Sequence, residues 1–209
     1  MSPFFSLAMA ITDFGESSVL LSTAVAASGW FWLNRQRQLA LLWLCSVGGC
    51  AATMLALKVS FLTCGHSVLH GAVRTPSGHS AMAALFYGAA ALTLGKLSHR
   101  AARHPLLLQL VSPVIPLAIG VSRVVVHAHT PQEVMVGLAV GFAWLALFAR
   151  LLRETAPSEE LPPARVLALL GLLYAGLLAV SMAGEHMSVE GMLFRIARAV
   201  HVHWGVCTG

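Results

Sequence analysis

The sequence predicts an all-α fold, a polytopic membrane protein of about six transmembrane helices in one bundle, with its site at the outer helix ends. Three observations lead there. The 209 residues are 57% hydrophobic and only 10% charged, with a mean hydropathy of +0.78, whereas soluble domains carry roughly 25% charged residues. Several apolar runs approach the roughly 20 residues that cross a hydrocarbon core. The few ionisable groups that intrude on those runs all fall at one end of them.

The elements follow in order. Residues 1–17 carry no Lys or Arg ahead of the first apolar run, so they read as an interfacial helix entering an uncleaved span and not as a cleavable signal peptide. Spans are expected over about 18–34, 39–62, 78–95, 105–124, 131–149 and 165–184. In lipid each must be helical, since no water is there to satisfy the backbone. The stretch TAPSEELPPAR before the sixth run is the one linker-like segment, and the Arg- and His-bearing tail after about 185 suits an amphipathic outer helix. All of this makes one domain, 1–209, with its chemistry within about 50–150.

Charge orients the bundle. Arg35 and Arg37 follow the first span, Lys96, Arg100 and Arg103 the third, and Arg150, Arg153 and Arg165 lie between the fifth and sixth. By the positive-inside rule these loops face the cytoplasm, which puts the opposite helix ends outside a cell (inner) membrane. The net charge of +5 then reflects topology and membrane lipids; no aromatic–basic stripe points to nucleic acid. Cys45 and Cys50 read as packing. Cys64 and Cys207 share the outer side, but nothing in their spacing supports a disulfide, and free thiols are expected. Trp30, Trp32 and Trp43 read as interface anchors near the inner ends, and Gly137 with Gly141 as a close-packing pair.

Ionisable groups at membrane depth are functional candidates. Lys58, Arg74, His79, Arg123, His129 and Glu133 all fall at the outer ends. In "RTPSGHSA", Thr75 is the expected N-cap and Pro76 the first helical residue. The amides of Ser77, Gly78 and His79 would then point outward along the positive end of the helix, an anion site that glycine lets a ligand approach closely. Lys58, Arg74 and Arg123 supply cations, with arginine suited to bidentate phosphate binding. His129 and Glu133, four apart, share a helix face: the carboxylate can orient the ring as nucleophile, while His79 serves as acid. "TPQE" is equally a capping box of Thr130 and Glu133, and the glutamate can do both. His127, two residues from His129, reads as a residue of the pocket wall or one that supports the site from behind it. His66 and His70 have a helical metal-pair spacing but few companion ligands, so a solvated loop is the expectation there.

These residues resemble the type-2 phosphatidic acid phosphatases, or lipid phosphate phosphatases, related to the vanadium haloperoxidases, whose motifs are K-x6-R-P, P-S-G-H and S-R-x5-H-x3-D. The second motif stands intact at Pro76, Ser77, Gly78 and His79, and the third matches at Ser122, Arg123 and His129, with Glu133 in place of the aspartate. In the first, Lys58 fits, but Gly65 and His66 occupy the Arg-Pro positions, so Arg74 is the candidate replacement cation. The resemblance implies a lipid phosphatase with a phosphohistidine at His129, oriented by Glu133, with His79 protonating the leaving alcohol. Lys58, Arg74, Ser77, Gly78, Ser122 and Arg123 would hold the phosphoryl oxygens. It implies no metal and no cofactor, in keeping with Asp13 as the one aspartate in the chain. Phosphatidate and isoprenyl diphosphate are the favoured substrates. A phosphotransferase passing the same group to another acceptor is the alternative, and a non-catalytic, metal-handling membrane protein the third reading.

Overall fold

The computed structural model describes residues 3–64, 73, 75–155 and the single positions 162, 165, 168, 171 and 175. Among them the regular elements are all helices: α1 Pro3–Asp13, α2 Ser17–Leu33, α3 Arg37–Cys64, α4 Gly78–Leu97, α5 His99–Ala102, α6 Pro105–Val125 and α7 Pro131–Glu154. Five stretches, Pro3–Leu33, Arg37–Leu62, Gly78–Leu97, Pro105–Val125 and Pro131–Glu154, are long and apolar enough to cross a membrane. The expected sixth span, the outer tail, Arg74, His66, His70 and Cys207 lie outside the described residues, as does the side chain of Cys64.

Helix α4 is the central member. Ser80 to Phe86 are buried without interruption, which happens only when a helix is surrounded on all sides. It packs on α6, α7, α3 and α2. Burial of apolar surface contributes little between helices that could equally face lipid, so association rests on close packing of small residues. The α4–α7 contact shows this: a Cβ on Gly137 would lie 2.3 Å from the Ser77 carbonyl oxygen, and one on Gly141 2.3 Å from that of Ala81. By contrast, α6 turns Leu106, Leu110, Val114, Leu117 and Val121 outward, a stripe suited to lipid.

The half of the bundle at the Arg37 end of α3 is closed by an aromatic cluster. Trp43 lies against Phe31, Phe86 and Phe148 with ring centroids 6.3, 5.6 and 5.8 Å away, and its indole N–H donates to Thr93 Oγ1 at 3.1 Å. The expected interface anchor at Trp43 is therefore corrected: it is a buried hub, because a polar partner fifty residues away satisfies its N–H. Trp32 is exposed and carries the Arg37 guanidinium over its ring at 5.4 Å. Helix α7 outruns its expected end by five residues. Lys96 accounts for the extension, donating to the carbonyls of Leu152 and Thr155 and to the Thr155 hydroxyl, a cation on the negative end of the helix.

Helix α1 does not lie apart from the bundle. It packs on the C-terminal half of α6 around a groove lined by Phe4, Leu7, Ile11, Val121 and Val125, and Thr12 is buried against Ser122. The antiparallel run of the helices leaves Arg35, Arg37, Lys96, Arg103, Arg150 and Arg153 at one end. The start of α2, the start of α4, the end of α6 and the start of α7 gather at the other.

Candidate active site

The site is assembled where α4 and α7 begin and α6 ends. Three residues past Val125 make the turn that presents His129. His127 takes a left-handed conformation (φ 56°), its N–H donating to the Val124 carbonyl at 3.0 Å and that of Ala128 to Arg123 at 3.0 Å. This 5→2 and 6→1 pair is a Schellman closure. It exposes His127, which corrects the expectation of a pocket wall. The His129 N–H also donates to the Arg123 carbonyl, at 3.2 Å, so the backbone ties the two residues together.

Glu133 then holds the His129 ring. Nδ1 lies 3.1 Å from Glu133 Oε2, with both side chains buried. A carboxylate accepts, so Nδ1 carries the proton and Nε2 presents its lone pair. The same oxygen accepts from the Thr130 N–H at 3.0 Å, and Oε1 accepts from the Thr75 N–H at 2.9 Å. With the Glu133 N–H donating to Thr130 Oγ1, the capping box is complete. One side chain thus caps α7, orients His129 and pins the approach to α4.

That pinning changes the expected start of α4. Thr75 is not the N-cap, because its N–H goes to Glu133 Oε1, and the Ser77 N–H goes to the Glu133 carbonyl at 3.0 Å. The chain stays extended through Ser77, which is the N-cap with ψ 107°. The Ser77 amide is therefore spoken for, while the N–H groups of Gly78 and His79 stand at the first two helical positions, where no intrahelical acceptor exists. Ser77 Oγ accepts from the Ser80 hydroxyl at 3.0 Å and weakly from its N–H, so its own O–H can still donate outward. A Cβ on Gly78 would lie 3.8 Å from Lys58 Nζ and 3.5 Å from Ser17 Oγ; the ammonium sits at the mouth of the helix.

The electrostatics agree. Burial holds the His129 imidazole below its ordinary value of 6.5, the Glu133 hydrogen bond partly opposes this, and the positive charges of Arg123 and Lys58 lower it further. Both cations are thus felt at the ring. Ser122 is the exception among the described candidates. Its hydroxyl donates to the Ile119 carbonyl at 2.7 Å and is 2.8 Å from Thr12 Oγ1, so it ties α6 to α1 and its one proton is committed within α6.

One residue was missed. Glu16 Oε2 lies 2.8 Å from His79 Nε2. The available signal was its depth: an acidic residue directly before an apolar run, at the same outer end as the other ionisable groups.

Comparison with known proteins agrees with the motifs. The sequence model of the PAP2 superfamily matches residues 58–157, which contain every described candidate. The chain is 32% identical over 151 residues to an "Uncharacterized 22.5 kDa protein in cps region" of Klebsiella pneumoniae, covering 72% of this chain and 71% of that one. No solved structure matches the chain.

Proposed function

This chain belongs to the PAP2 superfamily, a membership that supports a phosphoric-ester hydrolase in a membrane, and from that premise we propose that it removes the phosphate of a membrane lipid through a phosphohistidine, without a metal. The observation that carries the proposal is the buried His129–Glu133 pair, its Nε2 unengaged by the carboxylate, within the field of Arg123 and Lys58.

A phosphoryl group seated on the Gly78 and His79 amides meets the positive end of α4, the Lys58 ammonium, the Arg123 guanidinium and the Ser77 hydroxyl. His129 Nε2 attacks phosphorus. The P–O bond to the lipid alcohol breaks, and His79 gives its proton to the departing oxygen. Water then attacks the phosphohistidine, His79 takes a proton from it, and the P–N electron pair returns to Nε2. Positive charge accumulates on the His129 ring at the first step, where Glu133 stabilises it.

The site's place at the helix ends suits a substrate whose headgroup lies at the interface and whose tail stays in the bilayer, such as phosphatidate or isoprenyl diphosphate. The basic residues at the opposite end of the bundle favour a cytoplasmic face there, and hence a site on the extracytoplasmic face of the cell membrane. The test is phosphate release by detergent-purified protein in excess EDTA, over a panel of lipid monophosphates and diphosphates, beside His129→Ala. Release by the wild type alone is expected. Undiminished release by the variant would refute the phosphohistidine.

A further inference from the structure

The carboxylate beside His79 needs an explanation. An anion site gains nothing from a fixed negative charge at its rim, since like charge repels the phosphate it is built to hold. Yet Glu16 is placed there with care. It stands at the N-cap position of α2, but its side chain makes no capping bond. Instead Oε2 meets His79 Nε2 at 2.8 Å, and Oε1 accepts from Ser18 Oγ at 3.2 Å.

The turn that carries it is anchored by three contacts to α4 and α6. Thr12 bonds Ser122 of α6. Tyr87 of α4 donates to the Phe14 carbonyl at 2.8 Å. Gly15 is buried so closely that a Cβ would lie 2.5 Å from Ile119 Cγ2 and 3.5 Å from His79 Cβ. Glu16 also lies outside the segment 58–157 that the family model matches, so the pairing is supplied by this chain's N-terminal helices.

The two histidines are then paired in mirror fashion. His129 gives Nδ1 to Glu133 and keeps Nε2 for phosphorus; His79 gives Nε2 to Glu16 and keeps Nδ1. We propose that Glu16 is the positioning residue for His79, fixing the ring through Nε2–H so that Nδ1 delivers the proton to the departing lipid oxygen. This rests on the hydrolase reading above. The Nε2–H···carboxylate bond persists through the cycle, compatible with the imidazolium before transfer and the neutral ring after it. As the P–O bond breaks, its electron pair goes to the alkoxide oxygen, which takes the Nδ1 proton; in the second half Nδ1 recovers a proton from the attacking water. Glu16 touches neither phosphorus nor the leaving oxygen.

The test exploits the leaving group. An alkoxide needs a proton to depart and p-nitrophenoxide scarcely does, so a defect in proton delivery depends on the substrate and a packing defect does not. With full-length protein, Glu16→Gln should lower the single-turnover rate of leaving-group release from dioctanoyl phosphatidate by about tenfold or more, part of the roughly 10²–10⁴-fold that general acid catalysis contributes. On p-nitrophenyl phosphate the loss in that same first step should stay under about threefold, with little change in the half-saturating substrate concentration on either. Asp13→Asn, the exposed neighbouring carboxylate, serves as control and should leave both rates unchanged. Equal loss on both substrates, or none on phosphatidate, overturns the proposal. A second readout needs no turnover: ring 15N shifts of His79, read at a pH where the ring is neutral and assigned with His79→Ala, should report the Nε2–H tautomer in the wild type and lose that preference in Glu16→Ala. Unchanged shifts sink the pairing. A wild type silent on both substrates with the expected shifts sinks the hydrolase reading and not the pairing.

Discussion

Gly137→Ala tests whether a backbone contact between α4 and α7 places the catalytic groups. The added Cβ would fall 2.3 Å from the Ser77 carbonyl oxygen and 3.2 Å from its carbon, about 1.1 Å short of the 3.4 Å of ordinary contact. Neither atom belongs to a flexible side chain, so the helices themselves must separate by most of that shortfall. Overpacking of this kind costs about 1–3 kcal/mol in stability, which the fold can absorb. The site is more sensitive, because the displaced residue is Ser77 itself. Its N–H bonds the Glu133 carbonyl, and Thr75 bonds the same residue's carboxylate, so the amides of Gly78 and His79 shift relative to His129. A misplacement of about 1 Å costs on the order of 10²-fold in rate, or about 2.7 kcal/mol of barrier. The assay is kcat for phosphate release alongside the thermal midpoint. Gly48→Ala, where nothing lies within 4 Å of the new Cβ, is the control and should keep full activity. A folded Gly137→Ala enzyme with more than half the wild-type kcat would refute the reasoning.

Other substitutions probe separate parts of the site. Glu133→Asp shortens an arm whose carboxylate accepts from Thr75, Thr130 and His129 at 2.9, 3.0 and 3.1 Å. At least one of these charge-assisted bonds must be lost, costing about 1.5–3 kcal/mol of stability. Near-full activity with an unchanged midpoint would show that the extra methylene is immaterial. In the pH profile, the proposed nucleophile His129 has to be neutral, and burial with Arg123 and Lys58 nearby holds it below 6.5. Activity should therefore persist as pH falls through 6.5 and fail only lower, while Lys58→Met should move that acidic limb to higher pH. Stability follows the same sign, lost as pH falls below 6.5, where the unfolded chain takes up a proton that the buried ring resists. His127→Gly should stabilise by about 0.5 kcal/mol, since the left-handed position costs a non-glycine residue about 1–2 kcal/mol and glycine's unfolded-chain entropy returns part of that. A lowered midpoint would contradict the reading of this turn.

Much of the architecture was legible because a bilayer makes it so. Hydropathy is a local property, and lipid permits an apolar run little besides a helix, so the described spans fall within a few residues of expectation. The capping box at Thr130 and Glu133 was legible for the same reason, since its partners are three residues apart. The gathering of Lys58, Ser77, Gly78, Arg123, His129 and Glu133 at one bundle end followed from counting which end of each span carries the polar groups.

What the tertiary structure alone decided involves partners far apart in the chain. Ser77 displaced Thr75 as N-cap because Glu133, 58 residues beyond Thr75, claims the Thr75 amide. Ser122 pairs with Thr12, 110 residues away, and Trp43 became a core residue through Thr93, 50 away. Glu16 found His79 across 63 residues. Each is a choice among hydrogen-bond partners of similar worth, and only the packing of α4 against its neighbours determines which donor lies within reach of which acceptor.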